Sequence, residues 1–392
     1  MSSRKFVIKQ ETRDRCQIES IDSVEFRKKF RILTMELFHY FYEAGSIAFP
    51  LFIRVESETI LFMRPEEYSA ELLDSIRAAL GRNFDDVDFC ILREHVPQYE
   101  QMLGRLRGQK IDALMVKDPY LDRNTLELFS DLSGASQMVV RGGLTPGVHE
   151  RVTESAHKLV DALFHSEVAI STLSRMVTVD PTLYDHSASV AMIAGVIGGR
   201  LIKNPLPKEM TEMLARCGLY HDVGKTCVPN HILNKPGKFT PEEFEVMKTH
   251  TTLGYEELQQ AINEGAPIED IVARVALEHH ERFLGQGYPH GKKGRAEDDE
   301  ESGIHLFTRI VTVADVYSAL LMKRVYKPAF EASRAIKIMA DTHTEDYDPD
   351  VFLPFLRNVV EGLNYYTEKD QEDKKDSGRL LIIEDGKLKV SS

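Results

Sequence analysis

A chain of 392 residues is long enough for two domains, each with its own core. Its net charge of −13 excludes nonspecific binding to nucleic-acid duplexes, which needs a basic face, and no apolar run is long enough to cross a bilayer. The four cysteines, Cys16, Cys90, Cys217 and Cys227, form no C-x-x-C pair, which points to reduced thiols rather than a disulfide framework or a thiolate metal site. The opening MSSRKFVIKQETRDRC has neither an apolar stretch nor a small-residue cleavage site, so a cytoplasmic location is expected. Acidity does not exclude a small phosphate ligand, because local cations and bound metal ions can invert the sign of a pocket.

Taken in order, SVEFRKKFRILTMELFHYFYEAG has apolar residues at helical spacing and predicts a helix up to Gly45. FPLFIRVES and ETILFMR predict two strands, and PEEYSAELLDSIRAAL predicts a helix opened by Pro65. DDVDFCILRE and IDALMVKD read as two further strands, with helical QYEQMLGRLRG between them and TLELFSDL after. Residues 1–145 are thus expected to be a small mixed α/β domain, ending at the breaker-rich RGGLTPG of 141–147. From there to residue 370 an all-α domain is expected, since nearly every segment has helical periodicity. HERVTESAHKLVDALFHSEVAISTLSRMV is a long amphipathic stretch, suited either to carrying a signal between domains or simply to packing. The acidic EKDQEDKKDSG reads as a solvated loop, and the 371–392 tail has the form of a hairpin turning at Asp385 and Gly386.

Five segments of the helical half carry metal-ligand side chains: DHSASVA, YHDVGK, MKTHTTLG, LEHHERFLGQGYPHG and VTVADVYSALLMKRVYK. A lone helical histidine is ordinarily a core or surface residue. The neighbouring imidazoles of His279 and His280, and the His221–Asp222 pair, are costly to bury unless their lone pairs are used, and metal binding is the simplest use. Imidazole and carboxylate without thiolate suit iron, manganese, zinc, cobalt or nickel, and a carboxylate beside a histidine can bridge two cations, a common device for phosphate-ester hydrolysis.

HDVGK, KPGKFTPEEFEVMKTH, HHERFLGQGYPHG and RIVTVADVYSALLMKRVYK, in this order over roughly residues 180–345, resemble the HD-GYP family of metal-dependent cyclic di-GMP phosphodiesterases. The resemblance implies an α/β domain followed by an all-α HD-type helical bundle. It implies two divalent cations, preferably iron or manganese, one held by His186, His221, Asp222 and Asp315, the other by Asp222, His250, His279 and His280. A solvent molecule shared by the cations would be the nucleophile, giving linear pGpG, with further hydrolysis to GMP left open. Lys225 would contact the phosphate or the attacking water, Arg324 and Lys327 the phosphates, and Tyr288 would pack over the ligand or fix its loop. In the family that loop also contacts diguanylate cyclases, so a protein partner is implied there.

Three departures stand out. Leu284 occupies a place where the family commonly has Asp, and Thr182 a place where some members have a third-metal Glu; two metals are therefore expected, with Asp180 and Asp185 near enough to keep a third open. The linker GKKGRAEDDEESGIHLFTRI is longer and more acidic than usual, as a lid would be. His290 and His305, which flank it, are read as exposed loop residues. Other cyclic dinucleotides such as cyclic GMP-AMP, a sensor with an inert site, and homodimerisation all stay open on sequence grounds.

Overall fold

The computed structural model describes residues 88–142, 146–163, 185–233, 237–295, 303–322, 331–342 and 344–374, with shorter pieces before residue 75, isolated positions between 144 and 176 and at 235, and two strands within 381–390. Contacts divide the chain into Met1–Lys110 and Ile111–Ser392.

Strand alternation builds the first unit. Strands β1 (Ile18–Ser20), β2 (Phe30–Leu33), β3 (Leu51–Val55), β4 (Glu58–Met63) and β5 (Asp88–Leu92) form one antiparallel sheet in the order β1-β4-β3-β5-β2. The period of two buries Leu51 and Ile53 of β3 with Phe89 and Ile91 of β5 in one cluster. Helix α1 (Val96–Lys117) adds Tyr99, Met102, Leu103 and Leu106 to that cluster, spaced as one helical stripe. Cys90 belongs to a separate cluster with Phe26 and Phe30.

Two expectations for this region are corrected. Phe30–Leu33 is a strand and not helix, because it pairs in register with Phe89–Leu92 while Phe30 stacks on Phe26; the cross-strand partners outweigh the local helical pattern. IDALMVKD is not a strand but the last two turns of α1, since Ile111 and Leu114, three apart, both enter the core of the second unit.

Among the described residues the second unit is helical, apart from the antiparallel pair β6 (Leu381–Glu384) and β7 (Lys387–Val390) and one bridge between Arg295 and Ile304. Asp385 and Gly386, read as the hairpin turn, lie outside the described residues. Helices α2 (Arg123–Gly142) and α3 (Pro146–Leu163) bury Phe129, Leu132, Val152 and Leu159 in this unit's core. RGGLTPG therefore links two packed helices, and the contact division falls earlier than the joint read there.

The centre of the bundle is α4 (His186–Val196), whose residues Ala188 to Val196 are all buried, as an apolar run without a polar face requires. Helices α2, α5 (Lys208–Tyr220) and α9 (Leu306–Leu321) pack around it, and a wider turn, Ile197–Leu201, extends it. Fully burying Leu214 or Ile310 stabilises the fold by roughly 1.5–3 kcal/mol each. The remaining helices are α6 (Pro241–Lys248), α7 (His250–Asn263), α8 (Asp270–Glu278), α10 (Ala332–Thr342) and α11 (Pro349–Lys374). Helix α11 runs to Lys374 and so absorbs most of the acidic segment expected to be a loop; Glu, Lys and Gln are good helix formers, and no Gly or Pro interrupts them there. No helix among the described residues is long and apolar enough to cross a membrane.

Candidate metal centre

Five histidines and two aspartates from separate segments meet where α4, α5 and α9 converge. His186 is the first residue of α4, whose N-terminus is capped by Asp185 accepting from the Ala188 amide at 2.9 Å. His221 ends α5, and Asp222 follows with φ −102° and ψ 11°, a sparsely populated region in which active-site residues recur. His250 opens α7, His279 and His280 follow α8, and Asp315 projects from the middle of α9.

Close backbone approach sets this convergence. A Cβ on Gly224 would lie 2.0 Å from the His250 carbonyl oxygen and 2.4 Å from the Gly254 amide nitrogen, so only glycine lets the turn Val223–Cys227 dock on the start of α7. A Cβ on Gly287 would lie 2.4 Å from the His280 carbonyl oxygen, so the GQGYP loop closes on the double-histidine turn for the same reason.

Three of the imidazoles are oriented alike. Nδ1 of His221, His250 and His279 donates to the carbonyls of Gly218 (2.8 Å), Met247 (2.6 Å) and Ala276 (2.9 Å), each three residues earlier. That fixes the tautomer of each neutral ring and turns every Nε2 inward. His186 reaches the same state through Ser318, whose hydroxyl donates to the His186 carbonyl at 3.3 Å and accepts from Nδ1 at 2.8 Å.

Asp222 lies between two histidine groups. Its Oδ2 is 3.5 Å from His186 Nε2 and 3.3 Å from His221 Nε2, whereas its Oδ1 is 3.5 Å from His250 Nε2 and 3.7 Å from His279 Nε2. Asp315 Oδ1 closes the first group at 3.0 Å from His186 Nε2, and its Oδ2 is 3.9 Å from His280 Nδ1. Donor atoms within 4.8 Å of one another define three sets: His186, His221 and Asp315; His250, His279 and His280; and His221, Asp222 and His279, which links the other two.

This donor set fits divalent cations. His221 Nε2 and Asp222 Oδ1 are buried with no hydrogen-bond partner, a costly arrangement unless something else uses them. The Nε2 atoms of His250 and His279 lie 3.3 Å apart, yet with both Nδ1 atoms donating to carbonyls neither Nε2 has a proton to give. Facing lone pairs repel, and a shared cation removes the repulsion.

Electrostatics divides the cluster. Burial lowers His250, takes His279 well below the ordinary range and pulls His280 down to about 3, so these three are neutral donors at physiological pH. Burial also acts on His221, but Asp222 and then Asp315 outweigh it and hold its pKa above the usual value. Asp222 and Asp315 resist the upward push of burial and stay well below the carboxylate range, Asp222 chiefly through Lys225 and His221, Asp315 through His186.

Of the other residues singled out, Lys225 lies in a 3-10 turn rather than an α-helical one, and its ammonium donates to Asp222 Oδ2. Tyr288 stacks on His280 with centroids 4.8 Å apart. Arg324, Lys327, Asp180 and Thr182 lie outside the described residues, as does 296–302 of the expected lid. Asp185 is occupied as a helix cap. His290 is exposed, while His305 caps α9 by accepting from the Phe307 amide. Leu284 is exposed.

The sequence reading missed Ser318, Thr312 and Glu281. Thr312 donates to the His279 carbonyl at 2.9 Å, and the buried Glu281 carboxylate accepts from the His290 and Lys292 amides, tying down the GQGYP loop. Ser318 was within reach of sequence reasoning, since it lies three residues after Asp315 on one helix face. Ser318→Ala is expected to weaken metal affinity about 10- to 100-fold by freeing the His186 ring, read by metal titration; unchanged affinity would remove Ser318 from the site.

A family model described as HD domain matches residues 171–351. Over these residues the chain is similar to HD domains. Two curated relatives agree with it: a Thermotoga maritima protein named cyclic di-GMP phosphodiesterase, 40% identical over 163 residues (41% of each chain), and a Pseudomonas aeruginosa protein of the same description, 35% identical over 211 residues (53% of this chain, 47% of that one). The match thus spans less than half of either relative. Among solved structures, an HDG"Y"P protein from Bdellovibrio bacteriovorus has a TM-score of 0.54 at 17% identity, covering 85% of this chain and 99% of that one, which shows a shared fold. All seven clustered side chains lie within the matched residues 171–351.

Proposed function

We propose that this chain is a metal-dependent phosphodiesterase that opens cyclic di-GMP to linear pGpG and carries hydrolysis on to GMP. The observation that carries the reading is Asp222, with one oxygen toward His186 and His221 and the other toward His250 and His279. His186, His221, Asp222 and Asp315 would hold one divalent cation, and Asp222, His250, His279 and His280 a second. Two such cations neutralise a phosphodiester and lower the pKa of solvent between them. Iron and manganese both suit nitrogen and oxygen donors.

The chain's own groups do the positioning. The carbonyl-bound imidazoles keep their lone pairs fixed, so no reorganisation is needed when substrate arrives. Lys225 holds Asp222 while presenting an ammonium beside the place a phosphate would occupy. Tyr288 walls the side of His280, and Arg324 and Lys327 are assigned to the phosphates. The names of the curated relatives support the cyclic dinucleotide. The unit before the HD domain is proposed to be regulatory or sensory, the GQGYP loop to be open to a diguanylate cyclase, and the protein to act in the cytoplasm, alone or as a homodimer.

The test is metal analysis of protein purified without oxygen, coupled to turnover of cyclic di-GMP and cyclic GMP-AMP before and after chelation. Two metals per chain, loss of turnover on stripping and recovery with iron or manganese are expected. Full turnover by stripped protein would remove the metal from the chemistry; ligand binding without turnover by the loaded protein would make it a sensor.

A further inference from the structure

Helix α6 supplies none of the clustered donors, yet it sets an aromatic ring beside them. Its N-terminus is pinned by a reciprocal cap: Thr240 Oγ1 accepts from the Glu243 amide at 3.3 Å, and Glu243 accepts from the Thr240 amide at 2.7 Å while also pairing with Lys235. The helix therefore holds Phe244, 44% exposed, in a defined place. Tyr288 lies between this ring and the metal centre, its centroid 6.4 Å from Phe244 at a nearly perpendicular 81° and 4.8 Å from His280 at 28°. Lys248, one turn after Phe244 on the same face, has its Nζ 5.1 Å from the Phe244 centroid and 5.6 Å from the Tyr288 centroid. Glu245 pairs with the same ammonium at 2.6 Å from the exposed side.

A scattered exposed apolar side chain is ordinary on a protein surface. This one differs in its surroundings. Its edge-on contact with Tyr288 orients the ring while leaving much of it open, the aromatic series leads directly to a clustered imidazole, and a cation sits within reach of both rings. Aromatic faces beside cations are what nucleotides recognise, through stacking of the base and neutralisation of the phosphate.

We infer that Phe244 and Lys248 form a nucleobase subsite of the metal centre, in which the open face of Phe244 stacks one purine of the substrate and Lys248 neutralises its backbone. This rests on the phosphodiesterase reading and sharpens it, since it makes the substrate a base-bearing diester rather than any phosphate ester. Stacking tolerates every base, so the subsite governs affinity more than choice among bases.

The chain has no tryptophan, so Phe244→Trp introduces a single fluorescent reporter at the subsite. Metal-loaded Phe244→Trp is expected to show saturable quenching with cyclic di-GMP and none with inorganic phosphate. In turnover, Phe244→Ala and Phe244→Leu are expected to raise KM about tenfold with kcat within about twofold, whereas Phe244→Tyr stays close to the parent. Turnover by the parent without quenching, or an equal fall in kcat for all three variants, would overturn the subsite and leave the phosphodiesterase reading standing. Quenching without turnover would sustain the subsite and overturn that reading; neither signal would end both.

Discussion

On the proposed two-cation reading, Asp222→Asn is expected to reduce cyclic di-GMP turnover on the order of a thousandfold and to lower metal content to at most one per chain. The substitution keeps the size and shape of the side chain but replaces one carboxylate oxygen with an amide N–H. Each oxygen of Asp222 faces a different pair of imidazoles, so whichever way the amide is turned, a donor hydrogen points at lone pairs meant for a cation. The variant also loses the charge that Lys225 and His221 share. Because the change is isosteric, the thermal midpoint of metal-free protein serves as the control. Elemental analysis and turnover check the prediction. A folded variant with two metals and turnover within tenfold of the parent would show that Asp222 does not join the two histidine groups.

Gly224→Ala is expected to act through the backbone and to have the second-largest effect. The added methyl would meet the His250 carbonyl oxygen at 2.0 Å, the Gly254 amide nitrogen at 2.4 Å and the Gly254 Cα at 2.8 Å. These are main-chain atoms, and no rotamer change can relieve the overlap. Either the turn carrying Asp222 or the start of α7 must retreat, which separates His250 from Asp222. Overpacking of this kind costs about 1–3 kcal/mol, seen as a lowered denaturation midpoint. The shift of His250 should weaken the second cation at least about tenfold, seen by metal titration. Parent-like stability and affinity would mean that the two segments are not held in this contact. The two variants separate chemistry from architecture: the first alters donors in an unmoved frame, and the second moves the frame with its donors intact.

Much of the site was legible because its chemistry is local. Adjacent histidines and a His–Asp pair are conspicuous in any sequence, whereas the close backbone approach at Gly224 and Gly287 emerged only from the structure. Two of the misreadings share a cause. Phe30–Leu33 and IDALMVKD have patterns compatible with either secondary structure, and their partners decided: β5 for the first, the core of the second unit for the second. RGGLTPG breaks helices as expected, but a breaker cannot say whether the helices it separates share a core. The acidic run before residue 375 was assigned by charge, although its residues are sound helix formers.

The amino-acid sequence by itself determined the donor types, their order and the apolar runs that become α4 and α9, since these follow from side-chain chemistry and periodicity within a few residues. Only the tertiary structure decided that the two oxygens of Asp222 face opposite ways, that Ser318 orients His186, and that Phe244 joins Tyr288 beside His280. Those relations depend on the direction of side chains far apart in the chain, which helix packing around α4 and glycine-mediated backbone contact impose and no local pattern encodes.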